Sequence, residues 1–181
     1  MKTGKVHRAL DRITRRLQEN GIDYAVIGGM ALAAHGYERF TSDVDLLTTP
    51  AGLEAIHAQL VGRGYVPSFP GARKSLRDTE NGVTIEFITS GEFPGDGKPK
   101  PVVFPIPRDA SVEVDGYSVI AVAKLVELKL ASGLTAPHRM RDLADVQDLI
   151  TALNLPRALG EQLDASVRDE YLKIWDAAKG A

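Results

Sequence analysis

The stretch "YAVIGGMALAAHGYERFTSDVDLL", residues 24–47, leaves few folds open to this chain. "YAVIG" (24–28) is a short apolar, β-rich run that reads as a buried strand, and "MALAAHG" after the glycines suits a short helix of small residues. Gly28-Gly29 therefore marks a strand-to-helix turn, where backbone amides can approach a phosphate and a helix N-terminus can hold it. A tight turn by itself would also call for glycine. "DVDLLT" (43–48) then alternates, which predicts a strand with the Asp43 and Asp45 carboxylates on one face and their Cα atoms about 6.6 Å apart.

Two carboxylates at that distance can converge on one divalent cation or on a pair of them. Taken alone, they could equally be two exposed charges at a sheet edge. "GVTIEFITS" (82–90) supplies a second alternating strand with Glu86 between Ile85 and Phe87, a costly place for a carboxylate unless it is paired or solvated. If the two strands are neighbours, Glu86 joins Asp43 and Asp45. Three hard oxygen donors with no sulfur or imidazole beside them favour Mg2+ or Mn2+ over Zn2+.

The rest of the chain divides near residue 120. Before it, Leu10, Ile13 and Leu17 stripe a helix from His7 to Asn20, and Pro50 opens another that carries Leu53, Ile56 and Leu60 and ends at Gly64. "GYVPS" suits a strand, residues 91–101 read as an irregular loop and the expected mobile part, and "ASVEVDGYSVIAV" reads as a hairpin across Asp115-Gly116. After it come helices at "KLVELKLAS", "HRMRDLADVQDLITAL" and beyond Pro156, where Tyr171 and Trp175 suit core packing. The expected fold class is α+β, a mixed β-sheet with flanking helices followed by a C-terminal helical segment. An αβ core over 1–120 and a helical region over 121–181 packed on it would make one compact unit of this 181-residue chain.

Composition excludes more than it assigns. With no cysteine there is neither a disulfide framework nor a thiolate metal site. A net charge of −2 gives no global attraction to nucleic acid, so an RNA surface would be a local patch such as Lys2, Lys5, Arg8, Arg12, Arg15 and Arg16. No apolar run reaches membrane-span length, and a cytoplasmic protein is the expectation. A dinucleotide-binding Rossmann unit fits poorly, because Gly28-Gly29 lacks the G-X-G-X-X-G spacing.

"VIGGMALAAHGYERFTSDVDLL", with "VTIEFITSG" and the helical pair "ELKLAS…RMRDLADVQDL", resembles the nucleotidyltransferase superfamily that includes DNA polymerase β. It is most similar to the small bacterial branch related to AbiEii-type toxins. The resemblance spans residues 24–150. It implies the nucleotidyltransferase-type mixed sheet and metal-dependent transfer of NMP from an NTP such as ATP. Gly28 and Gly29 would hold the triphosphate, and Asp43, Asp45 and Glu86 would bind the metals and carry catalysis. The implied acceptor is tRNA or protein, with a small molecule such as an aminoglycoside also compatible, and a cognate antitoxin is an implied partner. Two features depart from the pattern: Gly-Gly-Met stands where many members have a serine directly after the first glycine, and Glu86 is a methylene longer than aspartate.

Other residues carry two readings each. Arg39 neutralises phosphate or braces a carboxylate, or is a surface arginine; Thr41 contacts nucleotide or simply caps its turn. Lys129 on the first C-terminal helix reaches a phosphate or snorkels half-exposed to solvent, and Lys124 competes for the role. Asp142 and Asp145, three apart on one helix face, orient Lys129 or bind base or ribose, or are merely acidic residues at a helix start. A catalytically weak nucleotide-binding or partner-binding module on the same fold is the alternative to an enzyme.

Overall fold

The computed structural model describes residues 4–180. Lys2 of the basic group lies outside them. Among these residues the chain forms two compact units, one built from residues up to 34, 38–90 and 106–120, the other from 35–37, 91–105 and 121 onward.

The first unit is a seven-stranded sheet in the order β3-β4-β5-β2-β1-β7-β6. The interior strand β1 (Tyr24–Ile27) is fully buried and flanked by the central strand β2 (Val44–Thr48) antiparallel and by β7 (Tyr117–Ile120) parallel. β2 in turn pairs in parallel with β5 (Thr84–Thr89), which puts Asp45 opposite Glu86. β6 (Ser111–Val114) and β7 form the hairpin read from Asp115-Gly116, whose φ values of 51° and 84° are those of a type I′ turn. The expectation of a mixed sheet with flanking helices and a helical C-terminal segment holds.

α1 (Lys5–Glu19) buries Ala9, Leu10, Ile13 and Leu17, the stripe its spacing dictates, and packs against β2. Gln18 of α1 donates to the Tyr24 hydroxyl at 3.1 Å, so α1 covers the sheet face that carries Tyr24, Val26 and, by register, Leu46. Three of its arginines make contacts within the unit. Arg12 pairs with Asp78 and, at 3.3 Å, with Glu80; Arg16 donates to the Arg63 carbonyl and Arg8 to Asn81. α3 (Pro50–Gln59) starts where Thr49 accepts the Gly52 N–H at 2.9 Å and ends well before Gly64.

Two elements go beyond those the sequence pattern predicts: β4 (Ser75–Asp78), which lies between β3 (Tyr65–Pro67) and β5, and the short α4 (Pro107–Ala110). The second unit contains α5 (Val122–Thr135), α6 (Met140–Ala152) and α7 (Ala165–Lys179). Pro137–Arg139 forms a separate 3-10 turn, so the helix anticipated from His138 begins only at Met140. Tyr171 and Trp175 do pack inward, donating to the carbonyls of Pro156 and Leu155 at 2.9 and 2.8 Å. The irregular segment after Gly91 is pinned by the Gly91 N–H to the Phe104 carbonyl and the Phe104 N–H to Glu92, each 2.9 Å. No helix among the described residues is long and apolar enough to cross a membrane.

Leu46 is fully buried on the helix-covered face of the central β2 strand. Leu46→Ala removes that packing and leaves a cavity, so unfolding in urea should show a loss of about 3 kcal/mol, with the slope unchanged.

Candidate functional site

The sheet register decides which acids share a surface. Side chains alternate along a strand, so Asp45 leaves β2 on the face opposite Leu46, and its register partner Glu86 leaves β5 on that same face. Ile27 of β1 and Ser75 of β4 are in register with the two acids and complete one row across four strands. Asp43 stands one residue before β2, half-buried, and not in the strand itself as the alternation predicts. Glu86 meets the condition set for a carboxylate among apolar neighbours: it is half-buried, and the Ser75 hydroxyl donates to its Oε1 at 2.7 Å. Ser68 Oγ lies 2.9 Å from Ser75 Oγ.

The glycine pair has a steric cause that the sequence did not reveal. α2 (Gly28–Ala34) begins at Gly28 itself, whose φ of 63° is the left-handed region. A Cβ built on Gly28 would collide with the Asp45 carboxylate and come within 2.8 Å of its Cγ. One on Gly29 would come within 2.8 Å of the Thr41 Cβ. The first turn of α2 is thus pressed against Asp45 and Thr41, and Thr41 holds the approach to β2 by donating to the Asp43 carbonyl at 3.2 Å. Arg39 is half-buried in the same segment. Among the described residues, no three acidic or imidazole side chains already close into a metal cage.

The second unit holds a different cluster. Lys129 donates to Asp145 at 2.8 Å and to Asp142 at 3.2 Å, while Asp142 also accepts from Ser132 at 2.7 Å and from Arg139 at 2.9 Å. Lys129 is only 8% exposed, which corrects the half-exposed snorkelling side chain of the sequence reading. α5 is buried from Leu125 to Gly133, so Lys129 pairs with acids inside the unit instead of snorkelling along its surface. The competitor Lys124 is partly exposed and paired with Glu127, whose other oxygen accepts the Asp164 N–H at 2.7 Å. Burial pushes the Asp142 carboxyl up, but Lys129, the Ser132 hydroxyl and Arg139 together more than reverse that, and it lies below its ordinary 3.8.

Comparison with known proteins adds a family and a fold. Residues 1–157 match a family model described as uncharacterised nucleotidyltransferase. No curated protein matches the sequence. The solution structure of the antibiotic-resistance factor ANT(2'')-Ia aligns with a TM-score of 0.59 at 13% identity, over 95% of this chain and 96% of that one. A crystal structure of that factor with adenylyl-2''-tobramycin gives 0.56 at 11% identity, covering 94% and 96%. A putative nucleotidyltransferase from H. pylori gives 0.52 at 16% identity, covering 99% and 94%. At such identities the likeness is one of fold.

Three outcomes follow from this geometry. Gly28→Ala should cost about 1–2 kcal/mol for left-handed backbone plus about 1–3 for the collision, and the second part should vanish in an Asp45→Gly background, measured as a double-mutant cycle in urea. Lys129→Ala leaves two buried carboxylates short of a cation and should cost about 3 kcal/mol or more. Because the folded Asp142 carboxyl lies below its unfolded value, its contribution is complete above about pH 4 and is lost as pH falls through the folded value. Asp142→Asn should therefore flatten the acid limb of the melting-temperature profile.

Proposed function

The chain belongs to a family of nucleotidyltransferases, and from that premise we propose that it transfers an NMP from an NTP, such as ATP, to an acceptor in a reaction that depends on Mg2+ or Mn2+. The observation that carries this reading is the register of Asp45 with Glu86 on one sheet face, with Asp45 pressed against the Gly28 turn. The donor set fits a hard divalent cation: Asp43, Asp45 and Glu86 offer only carboxylate oxygens. These three would hold the metal, which when bound supplies charge neutralisation of the triphosphate and of the attacking oxygen.

The chain's own groups do the rest. Gly28 and Gly29 would hold the triphosphate through backbone N–H groups at the start of α2, beside Asp45. Thr41 keeps the turn before Asp43 in place, and Arg39 supplies positive charge beside it. The acceptor hydroxyl attacks the α-phosphorus, its proton passes to Glu86, the bond to the β-phosphate breaks and pyrophosphate leaves. Within the second unit, Asp142 and Asp145 take two of the three N–H donors of Lys129 and in this reading orient it.

The acceptor we favour is tRNA or a protein hydroxyl, with the chain acting in the cytoplasm as a toxin of the AbiEii-like kind held in check by an antitoxin. The Lys129–Asp142 pair on α5 and α6 supports that branch. The adenylylated tobramycin carried by the ANT(2'')-Ia complex makes an aminoglycoside the small-molecule acceptor to include in the assay.

Incubation of the protein with each labelled NTP, Mg2+ and in turn total tRNA, protein extract and tobramycin, read by mass spectrometry, tests the reading. One acceptor should gain the mass of an NMP, and Asp45→Asn should slow transfer by about a hundredfold or more, the scale of losing one electrostatic stabiliser. Metal-dependent NTP binding with no transfer to any acceptor would instead identify a nucleotide-binding module.

A further inference from the structure

The first unit contains a cavity of about 390 Å3 on the other side of the sheet from the acids. Its floor is apolar. Val26 and Val119, register partners on β1 and β7, form it with Leu10 of α1 and Met30 and Ala34 of α2. Ile27, the next residue along β1, points the opposite way and is the one in register with Asp45. Cavity and carboxylate row therefore lie on opposite faces of the same strands.

Among the described residues, the polar part of the wall is made by the Asp11 and Asp115 carboxylates, the His7 imidazole and the Tyr117 phenol, with neither lysine nor arginine. The Tyr117 hydroxyl donates to Asp11 Oδ1, and burial together with that bond pushes the phenol well above its ordinary value. Tyr117 thus keeps its proton and donates it to one oxygen of Asp11, an exposed residue whose carboxylate has further acceptor capacity. Asp115, at the hairpin turn, makes no hydrogen bond or ion pair among the described residues.

We infer that this cavity is a binding site for a small organic cation, an ammonium head carried on an apolar body. The volume falls in the range of small-molecule sites, and an apolar floor with a few convergent polar groups is their usual make-up. A nucleotide or any other anion would meet two carboxylates. A bare metal ion would leave the floor uncovered, and no three-ligand cluster is present among the described residues. An ammonium between Asp11 and Asp115 satisfies both acids while its hydrocarbon covers Val26, Met30 and Val119. The ligand would touch α2, the helix whose first turn abuts Asp45, so the two faces share one structural element.

The test uses the full chain and three probes of one shape: 2-phenylethylamine, neutral 2-phenylethanol and anionic phenylacetate, titrated by calorimetry and ligand-observed NMR. The amine should bind saturably, the alcohol roughly tenfold more weakly and the acid not at all. Asp115→Asn should weaken the amine roughly tenfold and leave the alcohol unchanged; it keeps the fold, because asparagine accepts the same left-handed φ. Ala34→Phe, which fills the cavity, should abolish binding of both. Equal affinity for amine and alcohol, no saturable amine binding, or amine binding indifferent to both Asp115→Asn and Asp11→Asn overturns the inference. So does loss of amine binding in Asp45→Asn with Asp115→Asn unaffected, which would place the amine on the other face.

Discussion

The contact between the Gly28 backbone and the Asp45 side chain is the constraint on which the arrangement of the first unit turns. β1 and β2 are antiparallel neighbours with Ile27 opposite Asp45, so the chain leaves β1 directly beside the carboxylate. Any side chain at Gly28 would have to occupy the volume of that carboxylate. With a hydrogen there, the chain turns at a left-handed φ, α2 starts at once, and its first N–H groups stand next to an acid instead of a turn's length away. Glycine is required here by proximity as much as by conformation. The same logic repeats one residue later, where Gly29 makes room for Thr41 and so fixes the segment that delivers Asp43.

The second unit solves the opposite problem, that of burying charge instead of presenting it. Lys129, Arg139, Asp142 and Asp145 sum to zero, and Ser132 satisfies a remaining carboxylate oxygen. Such a group contributes little net stability compared with an apolar core of the same size, yet removal of any one member strands the others in a medium that solvates them poorly. An ammonium held by two carboxylates from successive turns of α6 has one direction left in which to donate.

Period-two alternation made the strands bearing Asp45 and Glu86 legible, and the Asp115-Gly116 dipeptide gave the hairpin. β4 was not legible from its own residues, since Ser75, Arg77 and Asp78 surround a single apolar Leu76. The available signal lay just beyond it: Asn81-Gly82, with Gly82 at a φ of 67°, is a hairpin turn, and Asp78 accepts the Asn81 amide and the Glu80 N–H inside it. Missing β4 meant missing Ser75 as the partner of Glu86. The burial of Lys129 also had a signal, because a helix apolar on all sides is an interior helix and a lysine within it must be paired. What the sequence could not supply is the close approach at Gly28, which depends on two segments meeting in space.

The parallel pairing of β1 with β7 has a cost in time. Val26 finds its partner Val119 only after the whole sheet edge, the loop segment and the β6 strand have been made. At ordinary synthesis speeds that interval is on the order of ten seconds, during which one edge of an entirely apolar strand has no ladder to join. Nascent chains of this protein therefore pass through a stage in which β1 can pair with β2 on one edge while its other edge is open. The β6–β7 hairpin, local and quick to form, is the piece whose arrival from the ribosome closes that window.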